Sequence, residues 1–175
     1  LNNFNNLLSK KDYKEALAEL DLLTQKYPND PNLFLYGGNC YVEMGHFNQA
    51  ILCYEEAIKL NPDLVDAHNN MGISLKEIGE IEKAVISFKK ALKIKPDYAM
   101  VHNNLGICLY DLSQSKEAQL CYIRAIKLKP DYAEPHSNLG NILKDLGKVD
   151  EAISSYQKAI KLNPDFIDAY NNLGS

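Results

Sequence analysis

Apolar residues recur along this chain at spacings of three and four, in two bursts parted by a short polar break. The pair of bursts then repeats. Over 65–98 the first burst holds Ala67, Met71, Leu75 and Ile78, and the second holds Ile81, Val85, Phe88, Ala91, Leu92 and Ile94. Such spacing lays each set along one side of an α-helix. Each burst therefore predicts an amphipathic helix of about 14 residues, roughly 21 Å long. A proline closes each second burst: Pro28, Pro62, Pro96, Pro130 and Pro164, each 34 residues after the last. A fixed period of this length, with no insertion, predicts a stacked array in which each repeat touches only its neighbours.

Numbering each repeat so that its proline is position 32 brings the small and aromatic residues into columns. Position 8 is Gly38, Gly72, Gly106, Gly140 and Gly174. Position 20 is Ala16, Ala50, Ala84, Ala118 and Ala152, and position 27 is Leu23, Ala57, Ala91, Ala125 and Ala159. Position 24 is Leu20, Tyr54, Phe88, Tyr122 and Tyr156. A glycine inside a helix costs roughly 0.5–1 kcal/mol against alanine, so close packing must offset it. We expect the position-8 glycine to face the position-20 alanine of the second helix, with the position-24 aromatic filling the space between. Gly45, Gly79, Ser113 and Gly147 at position 15 suit the turn after the first helix, and the proline cannot continue the second.

In these columns the chain resembles the tetratricopeptide repeat (TPR) family, whose W-x2-L-G-x2-Y…A-x3-F…P pattern has the same period. The likeness runs along nearly all of the 175 residues. It departs at position 4, where the family's Trp is replaced by Phe34, His68, His102, His136 and Tyr170. The resemblance implies an all-α fold, a right-handed superhelical solenoid of antiparallel helix pairs whose first helices line a concave face. The expected organisation is a degenerate N-terminal repeat or cap at 1–30, full repeats at 31–64, 65–98, 99–132 and 133–166, and a truncated first helix at 167–175. Because 168–175 reads as the opening of a further repeat, the parent chain is expected to continue, and the open end to permit self-association.

Composition narrows the function classes. The net charge is −4, from 19 basic and 23 acidic residues, and phosphate recognition calls for clustered Lys and Arg. Nucleic acid is therefore not expected as a partner. No apolar run reaches the roughly 18 residues of a membrane span. Cys40, Cys53, Cys108 and Cys121 form no C-x-x-C motif and read as buried thiols of a reducing, cytoplasmic setting. Cys40 and Cys108 share position 10, Cys53 and Cys121 position 23, and Ser74 and Ser87 stand there in the repeat between. Small residues at both places suggest tight contact within each helix pair.

The resemblance implies that positions 2, 5, 6, 9, 12 and 13 point inward, and several of these carry asparagine. Position 6 is Asn2, Tyr36, Asn70, Asn104, Asn138 and Asn172; position 5 adds Asn69, Asn103, Ser137 and Asn171; position 9 gives Asn5, Asn39, Ile73, Ile107 and Asn141. A carboxamide offers one acceptor and two donors, matching the N–H and C=O of a peptide. A row of them can hold an extended backbone without reading its side chains; the alternative is that they bridge adjacent repeats or face solvent. Position 2 (Asp66, Glu134, Asp168) and position 13 (Glu43, Glu77, Asp111, Asp145) add acid, and Lys76 and Lys144 at position 12 add the inward positive charge. Neutral or basic segments are the expected ligands. The candidate peptide-binding residues are Asn69, Asn70, Asn103, Asn104, Asn138, Asn141, Asn171, Asn172, Lys76 and Asp111.

No catalytic constellation is legible. The glycines are used in packing and turns, and no nucleophile stands at a plausible spacing from a histidine. His68, His102 and His136 share one position on successive repeats, about 8–10 Å apart at helix-packing distance, too far to share one metal ion at about 2 Å. No cofactor is expected. The reading is a non-catalytic protein–protein interaction scaffold that binds partner peptides in an Asn-lined groove. The Asn column and the N-N-L-G and S-N-L-G motifs at 103–106, 171–174 and 137–140 are also similar to the TPR region of O-linked N-acetylglucosamine transferases. That likeness implies an alternative, a substrate-docking arm of a glycosyltransferase with its catalytic domain downstream.

Overall fold

A computed structural model describes residues 2–173; Gly174 and the side chains of Asn2 and Asn5 lie outside what is described. The chain forms two compact units, the first through Ile94 and the second from Lys95. In the first, α1 (Asn2–Ser9) and α2 (Tyr13–Lys26) precede the pairs α3 (Pro31–Glu43) with α4 (Phe47–Leu60) and α5 (Val65–Glu77) with α6 (Ile81–Ile94). The second holds α7 (Ala99–Asp111) with α8 (Ser115–Leu128), α9 (Ala133–Asp145) with α10 (Val149–Leu162), and α11 (Ile167–Leu173). No strand occurs among the described residues, as the periodicity predicts. In the first unit α3 packs on α4, α4 on α5 and α3 on α5; in the second α7 packs on α8, α8 on α9 and α7 on α9.

Each pair turns by the same backbone device. Residues Gly45, Gly79 and Gly147 have φ of 74°, 81° and 71°. The next N–H reaches back five residues, from His46 to Tyr41 O (2.8 Å), Glu80 to Leu75 O (2.9 Å) and Lys148 to Leu143 O (2.9 Å). This left-handed C-terminal motif satisfies carbonyls that the helix end would orphan. Ser113 takes the same geometry with φ of 60°, as does Lys11 with φ of 57°, and both bear a Cβ that this conformation disfavours. At the far end of the second helix, the Asn61 and Asn163 side chains accept from the N–H of Asp63 (3.1 Å) and Asp165 (3.2 Å). These Asx turns, with the intervening proline, end the helix.

The core of each pair shows what the glycine is for. The atoms nearest the position-8 glycine belong to the ring at position 24. A Cβ on Gly72 would fall 2.7 Å from the Phe88 ring, on Gly106 2.6 Å from Tyr122, and on Gly140 2.5 Å from Tyr156. At Gly38 all three nearest atoms belong to Tyr54. The rings are buried, Tyr54 and Phe88 completely and Tyr122 and Tyr156 at 2% exposure. The physical reason is size. An aromatic side chain lying on the first helix needs the volume of a Cβ removed beneath it. Ala50, Ala57, Ala84, Ala91, Ala118, Ala125 and Ala159 are fully buried, and around Tyr54 they leave room for Ala67 of α5.

Two stability measurements follow from this geometry. Gly106→Ala should lower the unfolding free energy by about 1–3 kcal/mol through overpacking, against its better helix propensity, and Tyr122→Leu in the same chain should recover part of the loss; urea titrations of the three variants would show it. Ser113→Gly should raise stability by about 1 kcal/mol by removing the Cβ from a left-handed residue, seen as a higher urea midpoint with an unchanged slope.

Candidate functional site

The buried tyrosines bring a polar group to the edge of the core, and the asparagines answer it. The Tyr54 hydroxyl donates to Asn39 Oδ1 at 2.9 Å, and Tyr156 donates to Asn141 Oδ1 at 2.9 Å. An unpaired buried hydroxyl would cost about 1–3 kcal/mol, so position 9 is polar for a reason internal to the fold. Where position 24 is Phe88, position 9 is Ile73, but Tyr122 also has an aliphatic residue, Ile107, at position 9, so asparagine there serves Tyr54 and Tyr156 without being required by every tyrosine. Burial also pushes the phenol pKa of Tyr54 up, so it stays a donor.

From this anchor the amides run between repeats. In the first unit Asn69 donates to Asn70 Oδ1 (3.0 Å) and Asn70 donates to Asn39 Oδ1 (2.9 Å). Asn39 thus accepts from both Tyr54 and Asn70, joining α3, α4 and α5. In the second unit Asn138 donates to Asn103 Oδ1 (3.1 Å), and Asn103 donates to the Tyr132 hydroxyl (3.5 Å). Asn69 and Asn103 are buried, at 2% and 3% exposure; they sit beneath the surface and position Asn70 and Asn138, which are half-buried. Asn104, Asn141 and Asn172 are half-buried and Asn171 is exposed. Repeat bridging, one of the two readings open at the outset, therefore occurs at Asn39–Asn70 and Asn103–Asn138.

A cavity of about 300 Å³ opens beside the first network, lined by Asn39, Val42, Glu43, Tyr54, Asn70 and Ile73. Lys76 lies outside that lining and pairs with Glu77 at 3.0 Å. Asp111 is exposed on the second unit. Nearby, Tyr110 donates to Asp145 Oδ2 at 2.6 Å, and that bond, helped by burial, pushes the phenol up to about 12.

The histidine column does something the sequence did not disclose. His68 and His102 each place Nε2 2.8 Å from the carbonyl of Pro62 and Pro96, and His136 lies 3.2 Å from that of Pro130. A carbonyl only accepts, so Nε2 carries the proton. Each ring ties the end of one repeat to the first helix of the next. Burial holds the His136 pKa below its ordinary value, which favours this neutral form. The signal was there in the spacing of six between each proline and histidine, but only coordinates show the carbonyl turned toward the ring. Among the described residues no group of His, Cys, Asp or Glu is arranged to hold a metal. Cys40, Cys53, Cys108 and Cys121 are not joined in disulfides, and burial pushes Cys40 up to about 11, so it is protonated at neutral pH. No described helix is long and apolar enough to cross a membrane.

The tyrosine–asparagine link can be measured. Asn39→Ile should destabilise by about 1–3 kcal/mol through the stranded Tyr54 hydroxyl, and Asn39→Ile with Tyr54→Phe, which copies the Ile73/Phe88 pair, should recover most of it. Thermal melts of the cycle would give the coupling.

A family model described as TPR repeat matches residues 38–79, 74–113, 108–147 and 140–175. A 49-residue segment is 37% identical to ER membrane protein complex subunit 2 of Saccharomyces cerevisiae, a match that covers 28% of this chain and 17% of that relative. Among solved structures, MamA (residue 41 to the end) from Desulfovibrio magneticus superposes with a TM-score of 0.85 at 21% identity, over 94% of this chain and 93% of that one. YrrB, described as a TPR protein with an unusual peptide-binding site, superposes with a TM-score of 0.81 at 20% identity, over 100% and 90% of the two chains. Those structures share the fold; the overlapping family matches decide membership, and this chain belongs to the tetratricopeptide repeat family.

Proposed function

We propose that the chain is a non-catalytic scaffold that holds extended peptide segments of partner proteins along the asparagine-bearing first helices. TPR folds bind peptides or proteins as a class, and the supporting observation here is that the amides are held in place before any ligand arrives. Asn70 spends one N–H on Asn39 and one lone pair on Asn69. Its amide also lies against the Tyr54 hydroxyl, and by count a second lone pair on Oδ1 remains, beside an open cavity. Fixed donors and acceptors lose little entropy on binding, which is where affinity for a flexible peptide is gained. Asn138, held by Asn103, offers the same in the second unit, with Asn104, Asn141, Asn171 and Asn172 as further contacts.

Acidic groups at Glu43, Glu77, Asp111 and Asp145 favour neutral or basic segments over acidic ones. The free thiols support a reducing, cytoplasmic setting. In this reading the backbone of the ligand does most of the binding, so many sequences are accepted and the scaffold acts by bringing its partners together.

The test uses a peptide recovered by screening the intact chain against a displayed random library. Asn70→Ala with Asn104→Ala should weaken that peptide several-fold in fluorescence anisotropy, with helicity and melting temperature retained. Unchanged affinity would remove the amide groove from the reading.

A further inference from the structure

We infer that the first unit accepts a particular kind of segment: a bulky apolar side chain with a lysine or arginine two residues away, on either side. The inference rests on the groove reading above and adds the side-chain chemistry that the amides cannot read.

Two adjoining cavities carry it. Beside the amide cavity lies another of about 260 Å³, lined by Phe4, Leu8, Tyr13, Tyr36, Asn39, Cys40 and Glu43. The two share Asn39 and Glu43. The second cavity is walled by aromatic and aliphatic surface, with the Phe4 and Tyr36 rings 5.7 Å apart. Such a hollow rewards a buried apolar side chain in proportion to the area it hides.

Glu43 is the charge at the boundary. The four described salt bridges use Glu56, Glu77, Glu80 and Glu151; among the described residues Glu43 forms none. Its Oε2 accepts from the Tyr13 hydroxyl at 3.2 Å, which fixes the carboxylate and leaves Oε1 for a ligand. Neither cavity lining contains a lysine, arginine or histidine. A cation brought there by a ligand would meet the carboxylate without displacing an existing partner. An extended peptide puts residues i and i+2 on one side, about 6–7 Å apart. With its backbone on Asn39 and Asn70, one such residue fills the apolar hollow and the next on that side reaches Glu43.

The experiment screens the intact chain against a displayed random peptide library and measures the recovered peptides by anisotropy on wild type, Glu43→Gln, Tyr13→Phe and Asn70→Ala. Recovered peptides should be enriched in an apolar residue two places from Lys or Arg. Glu43→Gln should weaken them roughly fivefold at low salt, and the difference should close by about 0.5 M salt. Replacing the peptide's basic residue with Gln should cost as much on wild type and nothing further on Glu43→Gln. Tyr13→Phe, which loses the hydroxyl but keeps the carboxylate, should retain charge selectivity. If peptides bind and Asn70→Ala weakens them, yet no basic residue is enriched or Glu43→Gln changes nothing, this inference falls and the groove reading stands. If neither variant matters, the groove reading falls with it. Self-association in sedimentation that Glu43→Gln abolishes would make a second copy the occupant and overturn the inference.

Discussion

Everything in this fold depends on an aromatic ring pressed onto a glycine. Helix pairs of this length have no stability alone and must bury a shared seam. Here the seam is built from one large side chain on the second helix and the removal of one Cβ on the first. Gly38, Gly72, Gly106 and Gly140 each meet the ring at position 24. Around Tyr54 the buried neighbours include Ala50, Ala57 and, from the following helix α5, Ala67. One contact therefore sets both the spacing within a pair and the approach of the next pair.

The same contact explains why polar residues appear where they do. A tyrosine used as the large side chain brings a hydroxyl into the seam, and a buried hydroxyl demands an acceptor. Asn39 and Asn141 supply it. Once Asn39 is fixed, Asn70 can bind to it and be fixed in turn. A surface capable of holding a peptide thus grows out of a packing requirement. The pairing is not obligatory: position 9 is aliphatic beside Phe88 (Ile73) and also in the repeat of Tyr122 (Ile107).

The helices, their turns and the buried small residues were legible in the sequence because each obeys a local rule repeated several times. Periodicity located the helix pairs, and position 15 located the left-handed turn, even where Ser113 replaces glycine. That the ring at position 24 lies nearest the position-8 glycine was not legible, because periodicity gives the side of a helix and not which inward residue comes closest. The asparagine columns were visible, yet their depth was not. Asn69 and Asn70 are adjacent in sequence and alike in chemistry, and only the stacking of α5 on α4 buries one and leaves the other at the surface. Glu43 and the Phe4–Tyr36 hollow were not seen as a unit, since they join residues from three helices of which the first departs from the repeat pattern.

The histidine ties carry a consequence for how such a chain can change length. Pro62 and His68 are joined across a loop whose reach is set by the bond at 2.8 Å. One inserted residue would swing the ring by about 100° around its helix and strand both the imidazole and the carbonyl. Drift in the joints between modules is penalised at once and on the spot, so the array can gain or lose whole modules far more readily than single residues.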